Sequence, residues 1–331
     1  MNPSFWHRAL VCPALALAAC TALAGEPECG RAAAPRISFV DFKSPDIAAS
    51  APTLLKIKGK LSLPPPPDER HGCGAGRGRK LPAVLILHGS SGVDARGDFH
   101  EAALNAAGIA TLQIDMWEAR GVAGAAGRPK APILTLPDAF AALAYLAERD
   151  EIDPQRIGVL GFSWGGVNTL AAAERLYVGM FGAGRQFKAH VAHYPVCYAY
   201  NANIPGVPPP AQMGTQFVHL TGAPVLIQVG SKDDYDNGAE HCRSLARSVN
   251  AGNGNVVTVA EVPDAYHAFD RLMVPIVVND PFGDEGSFFR SGAVPQVTMA
   301  PDVAQAYAAR ERLVRFFRRH RNIVVEVNDS I

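Results

Sequence analysis

The sequence has neither an excess of charge of one sign nor a long apolar run. Its 331 residues carry 31 basic and 31 acidic side chains, so the net charge gives no reason to expect nucleic acid or an anionic membrane surface as a partner. The apolar run at residues 9–19 is too short to cross a bilayer as a helix. No internal repeat or heptad run stands out. The length and the 48% hydrophobic content predict one large α/β domain, or at most two domains.

The sequence also lacks the common signatures of bound cofactors. It contains no H-E-x-x-H metal motif and no phosphate-binding loop. The spacing of its six cysteines matches no zinc motif. We therefore expect neither a metal ion nor an organic cofactor.

Residues 1–24 are typical of an export signal. His7 and Arg8 end a short polar start, the apolar run follows, and small residues at 22–24 offer a cleavage site. An alternative site precedes Cys20, where Leu-Ala-Ala-Cys resembles the cleavage box of bacterial lipoproteins and the cysteine would be lipidated. We expect an exported protein, periplasmic or secreted, and favour simple cleavage near Ala24 over a lipoprotein.

Removal of the signal would leave four cysteines. An even number of cysteines in an exported protein suggests disulfides, and four cysteines allow three pairings. The sequence does not choose among them. Cys29 with Cys73 and Cys197 with Cys242 is one guess, and four unpaired thiols is the alternative.

Strand and helix patterns alternate along most of the chain. The run Leu54–Leu63 mixes apolar residues with lysines and suggests a half-exposed edge strand. Later apolar runs are continuous, as in strands buried on both faces. This alternation predicts a mostly parallel sheet with helices on both faces. The later strands are predicted at residues 83–87, 109–114, 157–161, 189–192, 225–229 and 256–262, and helices at 99–107, 167–176 and 239–249, with others opening at 137 and 301.

A G-x-S-x-G pattern at residues 161–165 joins a predicted strand to a predicted helix. In that context the serine occupies the apex of a sharp turn, which holds its hydroxyl clear of the sheet. The flanking glycines let the strand and the helix approach each other closely. Ser163 is therefore the candidate nucleophile.

A serine hydroxyl needs a base to take its proton and an acid to orient that base. On this type of fold the chain order is serine, acid, histidine. Of the six histidines after Ser163, His267 lies in a loop after the last predicted strand, where a base could reach the serine. Asp233 follows a buried strand and is the candidate acid, with Asp234 and Asp236 as alternatives.

Ester hydrolysis places negative charge on the carbonyl oxygen, and two backbone amides must be aimed at it. The amide of Trp164, next after the nucleophile, is one candidate. The second should come from the loop after residue 87, where we choose the amide of Ser90.

Several short segments share a pattern with one enzyme family. They are H-G at 88–89 with G-V at 92–93, R-G-V at 120–122, I-D-P at 152–154 with R-I-G at 156–158, G-F-S-W-G-G at 161–166, Gly230 with Asp233, and Y-H-A-F-D at 266–270. From about residue 54 to residue 317, the chain thus resembles the dienelactone hydrolase family within the α/β-hydrolase superfamily. The resemblance implies an α/β-hydrolase fold and hydrolysis of carboxylic esters or lactones.

The chain also departs from the namesake enzymes. They use a cysteine nucleophile where this chain has Ser163, and Gly89 falls near the place of a family acidic residue. Arg271 resembles a family arginine that binds a substrate carboxylate. Tyr194 and an insertion at residues 272–300 follow strand ends, so they are candidates to line the substrate pocket. Because the insertion and the export signal also differ from the cytosolic namesake, we do not expect turnover of dienelactone itself.

We expect a signal at residues 1–24, a linker with the first strand at 25–53, the hydrolase domain at 54–320 and a tail at 321–331. The predicted function is an exported serine hydrolase that cleaves small esters or lactones through an acyl-enzyme. A serine peptidase or an acyltransferase on the same triad is one alternative. A catalytically inactive envelope binding protein is another, and the complete order Ser, Asp, His argues against it. No oligomeric state is predicted.

Overall fold

The structure is a computed structural model that describes residues 34–64, 80–201, 216–283 and 294–320. Its main feature is an eight-stranded sheet with the order β1-β2-β4-β3-β5-β6-β7-β8. The first two strands run antiparallel to their neighbours, and all later pairs are parallel. This is the mostly parallel sheet that the sequence predicts. The strands are β1 (Arg36–Pro45), β2 (Leu54–Leu63), β3 (Leu81–Leu87), β4 (Ala110–Asp115), β5 (Ile152–Phe162), β6 (His190–His193), β7 (Val225–Gly230) and β8 (Val257–Val262).

Helices cover both faces of the sheet. They are α1 (Ala95–Ala106), α2 (Leu136–Ala147), α3 (Trp164–Ala171), α4 (Arg175–Phe181), α5 (Tyr198–Asn201), α6 (Glu240–Asn253) and α7 (Val303–Arg319). Successive residues of a strand point to opposite faces. Leu226 of β7 accordingly packs in one cluster with Phe317 of α7, and Ile227 packs in another with Leu245 of α6. The helices predicted for both faces are thereby confirmed.

The predicted position of β2 in the sheet is wrong. β2 is not an edge strand, because β1 pairs with it along its whole length, from Arg36 opposite Leu63 to Pro45 opposite Leu54. The sheet therefore includes residues 36–45, which the sequence analysis assigned to a segment outside the hydrolase domain.

Two helices also differ from the prediction. Helix α1 begins at Ala95, where the side chain of Asp94 caps it by accepting a hydrogen bond from the amide of Arg96. The helix predicted at residues 167–176 is broken into α3 and α4, because the amide of Arg175 donates to the carbonyl of His219 at 2.8 Å.

Beyond β8, which was predicted as the last strand, the chain forms a further hairpin. Strands β9 (Ile276–Asn279) and β10 (Gln296–Met299) pair antiparallel in a separate two-stranded sheet. Met299 of β10 also forms a parallel bridge with His267. The insertion is therefore attached directly to the loop that carries the candidate base.

A disulfide joins Cys197, just after β6, to Cys242 in α6. This confirms one of the two guessed pairs. Cys29 and Cys73, the predicted signal at residues 1–24 and the tail at 321–331 lie outside the described residues. Within the described ranges, no helix is long and apolar enough to cross a membrane.

Candidate active site

Ser163 occupies a strained turn between β5 and α3. Its backbone has φ 50° and ψ −108°, a left-handed region that a residue with a side chain rarely adopts. The turn is held from both sides, because the Ser163 amide donates to the carbonyl of His193 at 3.0 Å and its carbonyl accepts from the Val167 amide at 2.9 Å. Strain of this kind persists where the surrounding structure imposes it, and it is concentrated at functional sites.

The glycines of the turn are required by close backbone approach. A Cβ added to Gly161 would lie 2.0 Å from the carbonyl oxygen of Gly165, and one added to Gly165 would lie 2.3 Å from that of Leu87. Neither position has room for a side chain. The pattern around the serine therefore follows from how tightly α3 packs on β3 and β5.

His267 and Asp233 form a buried pair at the carboxyl end of the sheet. The Nδ1 of His267 donates to the carboxylate of Asp233. It lies 2.9 Å from Oδ2 and 3.1 Å from Oδ1. Each residue is 1% exposed. Among the described residues, the Nε2 of His267 is buried and has no hydrogen-bond partner. The carboxylate thus fixes the tautomer of the imidazole that leaves Nε2 able to accept a proton.

The two alternative acids are engaged elsewhere. Asp234 accepts the amide of Thr298 at 2.7 Å. Asp236 accepts the amides of Cys197 and Tyr198 at 2.8 and 2.7 Å. The structure therefore pairs Asp233, and not its two neighbours, with the histidine.

The loop after β3 is held in place around Ser90. The Nδ1 of His88 donates to the carbonyl of Gly89 at 2.7 Å, and its Nε2 accepts the amide of Met116 at 2.9 Å. Burial lowers the pKa of His88 to about 4, which keeps the imidazole neutral, as this donor–acceptor pattern requires. The indole of Trp117 donates to the carbonyl of Ser90 at 3.0 Å. The loop is therefore rigidly positioned beside the turn.

A cavity of about 470 Å³, including the space at its mouth, opens above Ser163. Both predicted oxyanion residues, Ser90 and Trp164, line it. Two residues of the insertion, Asp280 and Phe282, line it as well, in agreement with the expectation that the insertion helps to form the pocket. The other lining residues are Arg128, Lys130, Pro132, Val167, Val196 and Tyr235.

The amino-acid sequence also matches a known protein family. A sequence model described as the dienelactone hydrolase family matches residues 74–280. The chain belongs to the dienelactone hydrolase family. As a member of that family it is a carboxylic ester hydrolase.

Solved structures share the fold of this family member. A dienelactone hydrolase from Anabaena variabilis is 18% identical, with a TM-score of 0.50 over 87% of this chain and 99% of that one. Thermogutta terrifontis esterase 2 is 16% identical, with a TM-score of 0.54 over 84% and 93%. An esterase from Pyrobaculum calidifontis is 15% identical, with a TM-score of 0.53 over 85% of each chain. No curated protein gives a significant match.

The structure does not bring Tyr194 or Arg271 to the cavity of this dienelactone hydrolase family member. Tyr194 is fully buried, its hydroxyl donates to Asp270, and its ring centroid lies 4.6 Å from that of His267. The Nε of Arg271 lies 3.6 Å from the carboxylate of Asp94. Tyr194 thus packs against His267, Arg271 faces Asp94, and neither residue lines the cavity.

Asp270 is the centre of a buried polar network that the sequence analysis missed. In addition to the hydrogen bond from Tyr194, its carboxylate accepts one from Nε2 of His100 at 2.8 Å and one from Nδ1 of His193 at 2.9 Å. Burial alone would raise the pKa of Asp270, but the hydrogen bonds from the two histidines hold it well below its usual value. His100, His193 and Asp270 lie close enough together that they could ligate a metal ion. The nitrogens that would bind it are instead bonded to the carboxylate.

A second missed group connects the insertion to His267. Asp280 accepts the guanidinium of Arg128 and the hydroxyl of Tyr235, each at 2.9 Å. The ring centroid of Tyr235 lies 4.3 Å from that of His267. Arg128 and Asp280 lie in irregular segments 152 residues apart, so no local sequence pattern marks their contact.

Proposed function

We propose that this enzyme hydrolyses small carboxylic esters or lactones with Ser163 as nucleophile, His267 as base and Asp233 as the orienting acid. One observation carries the proposal. A strained serine lines a cavity at the same sheet edge as a buried Asp–His pair whose Nε2 has no partner among the described residues. A buried nitrogen without a partner is costly, and the hydroxyl of Ser163 would satisfy it once substrate binding brings the two groups together.

The proposed reaction proceeds in two steps. His267 Nε2 takes the proton of Ser163 as its Oγ attacks the acyl carbon, and the protonated imidazole then gives that proton to the leaving alcohol. A water molecule attacks the acyl-enzyme in the same way and regenerates the serine. No hydrogen bond joins Ser163 to His267 within the described residues; in free enzymes such contacts are often long and tighten only when substrate binds.

The amides of Trp164 and Ser90 are proposed to stabilise the oxyanion. Trp164 is the first residue of α3, so its amide has no acceptor within the helix. The next amide, that of Gly165, already donates to the carbonyl of His88 at 3.1 Å. Loss of one such donor typically lowers the rate by about 10²–10³-fold.

Export is also part of the proposal. The buried Cys197–Cys242 disulfide supports it, because disulfides persist mainly in oxidising compartments outside the cytosol. Mass spectrometry of the mature protein tests it. An unmodified start at Gly25 supports simple cleavage, a lipidated start at Cys20 supports a lipoprotein, and a retained Met1 in exporting cells refutes the signal.

Covalent labelling tests the catalytic assignment. A fluorophosphonate should add one equivalent to the Ser163 peptide of the wild type and none to Ser163→Ala, while Ser91→Ala, at a nearby exposed serine, should label normally. Thermogutta terrifontis esterase 2, which shares the fold, is phosphoramylated by tabun, so the probe chemistry suits this scaffold. No labelling of folded wild type would favour an inactive binding protein. Labelling that persists in Ser163→Ala would mean that another serine is the nucleophile.

Substrate panels then separate the acyl acceptors. Faster turnover of an ester than of the matched amide supports an esterase over a peptidase. Product partition between water and added alcohols measures any acyltransferase activity. Dominant alcoholysis at low alcohol concentration would replace the hydrolase assignment with a transferase.

A further inference from the structure

The cavity above Ser163 contains a neutralised cation. The guanidinium of Arg128 lies 2.9 Å from a carboxylate oxygen of Asp280. Their side chains are only 15% and 8% exposed, and the guanidinium also lies 5.5 Å from the centre of the Phe282 ring. Charges interact more strongly where water is largely excluded. Asp280 therefore holds Arg128 as a paired ion rather than as a free anion-binding group.

The second carboxylate oxygen of Asp280 is occupied as well. It accepts the hydroxyl of Tyr235 at 2.9 Å, and the amide of Tyr235 donates to Asp233 at 3.0 Å. Asp280 is thereby fixed with one oxygen toward each partner. The ion pair of Arg128 and Asp280 therefore forms part of the cavity wall, and Tyr235 links it to Asp233 of the candidate triad.

Among the described residues, the other cations near the site do not replace Arg128. Arg271 faces Asp94 and does not line the cavity. Lys130 lines the cavity but is exposed, so solvent and salt screen its charge. The remaining wall is mostly apolar, with Trp164, Val167 and other side chains. Within the described part of the chain, a carboxylate that entered this cavity would meet Arg128, which is already paired, and Lys130, which solvent screens. Neither cation would offset the loss of its hydration.

We propose that Asp280 determines substrate specificity: by occupying Arg128, it makes the site select esters whose cavity-bound part is uncharged and reject those that carry a carboxylate there. The proposal rests on the proposed esterase function and adds the substrate class. Discrimination comes from a repulsive element, the carboxylate of Asp280, as well as from apolar contact.

Two methyl benzoates of the same shape test the proposal. Methyl 4-acetylbenzoate is neutral, and monomethyl terephthalate carries a carboxylate in place of the acetyl group. The wild type should favour the neutral ester in kcat/KM. Asp280→Asn keeps the shape of the side chain but releases the charge of Arg128, so the preference should shift toward the anionic ester by about 10- to 100-fold.

The double variant Arg128→Gln/Asp280→Asn is the matched control. It lacks the cation of Arg128, so the shift toward the anionic ester should disappear. The hydrogen bonds of Asp280 are disturbed in both variants, so their loss alone does not explain a difference between them. A wild-type preference for the anionic ester, or an equal loss for both esters in Asp280→Asn, would overturn the proposal. If turnover of both is slow, the ratio of binding affinities follows from how well each ester protects Ser163 against fluorophosphonate labelling, and it should shift in the same direction.

The labelling reaction also distinguishes the two levels of failure. If the wild type is not labelled at Ser163, the esterase proposal fails. If Ser163 is labelled in every variant and the preference does not shift, only the role of Asp280 fails.

Discussion

The disulfide between Cys197 and Cys242 should contribute much of the stability of this enzyme. Its cysteines are separated by 45 residues. In the chain-entropy model, closing a loop of that length removes about 13 cal/mol/K from the unfolded chain, or about 4 kcal/mol at 25 °C. We therefore expect the free energy of unfolding of Cys197→Ala/Cys242→Ala to fall by about 3–4 kcal/mol.

Urea denaturation monitored by tryptophan fluorescence measures this loss in the free energy of unfolding. Because both cysteines are fully buried, the wild type should be reduced in denaturant and refolded under reductant. The reduced wild type should match the double variant. Reductant should not lower the free energy of unfolding of the double variant any further. If it does, that extra loss comes from another disulfide and is subtracted from the loss measured for the reduced wild type. A difference below about 1 kcal/mol would refute the loop-entropy reasoning.

Three further predictions concern the site and its supports. Asp233→Asn should lower kcat by about 10⁴-fold with the fold intact, because the imidazole loses its orienting acid; a loss below tenfold in an ester assay would contradict this. Gly161→Ala should abolish folding or fluorophosphonate labelling because its Cβ would lie 2.0 Å from a carbonyl oxygen, whereas Gly179→Ala, with nothing within 4 Å, should leave both unchanged. Burial lowers the pKa of His190 from 6.5 to about 4, so the unfolded chain binds the extra proton and stability should fall as the pH drops from 6.5 to 4. His190→Gln should flatten that fall in urea titrations, and an equally steep fall in the variant would contradict the role of His190.

The sheet, and the location of Ser163, Asp233 and His267 at one edge of it, could be predicted from the sequence for a physical reason. Parallel strands buried on both faces require unbroken apolar runs, and the ends of such strands share one edge of the sheet. Choosing among Asp233, Asp234 and Asp236 was harder, because these acids lie within four residues of one turn. Only the turn geometry after β7 decides which one faces His267.

The hairpin of β9 and β10 could not be predicted in the same way. Each strand has four residues, too few to establish a period, and half of the side chains of β9 are exposed. Its functional contacts join distant irregular segments, as between Asp280 and Arg128. Such contacts depend on tertiary packing and leave no mark in local composition.

The buried network around Asp270 explains why Tyr194 is buried and does not line the cavity. The carbonyl of His193 accepts the amide of Ser163, and the imidazole of His193 donates to Asp270. Asp270 follows His267 by three residues, and Tyr194 bridges the two by donating to Asp270 while its ring packs on the histidine. A fully buried carboxylate is costly unless it is well hydrogen-bonded, and here three donors satisfy it. The arrangement is therefore best explained by what it connects: one carboxylate joins the strand end that holds Ser163 to the loop that carries His267.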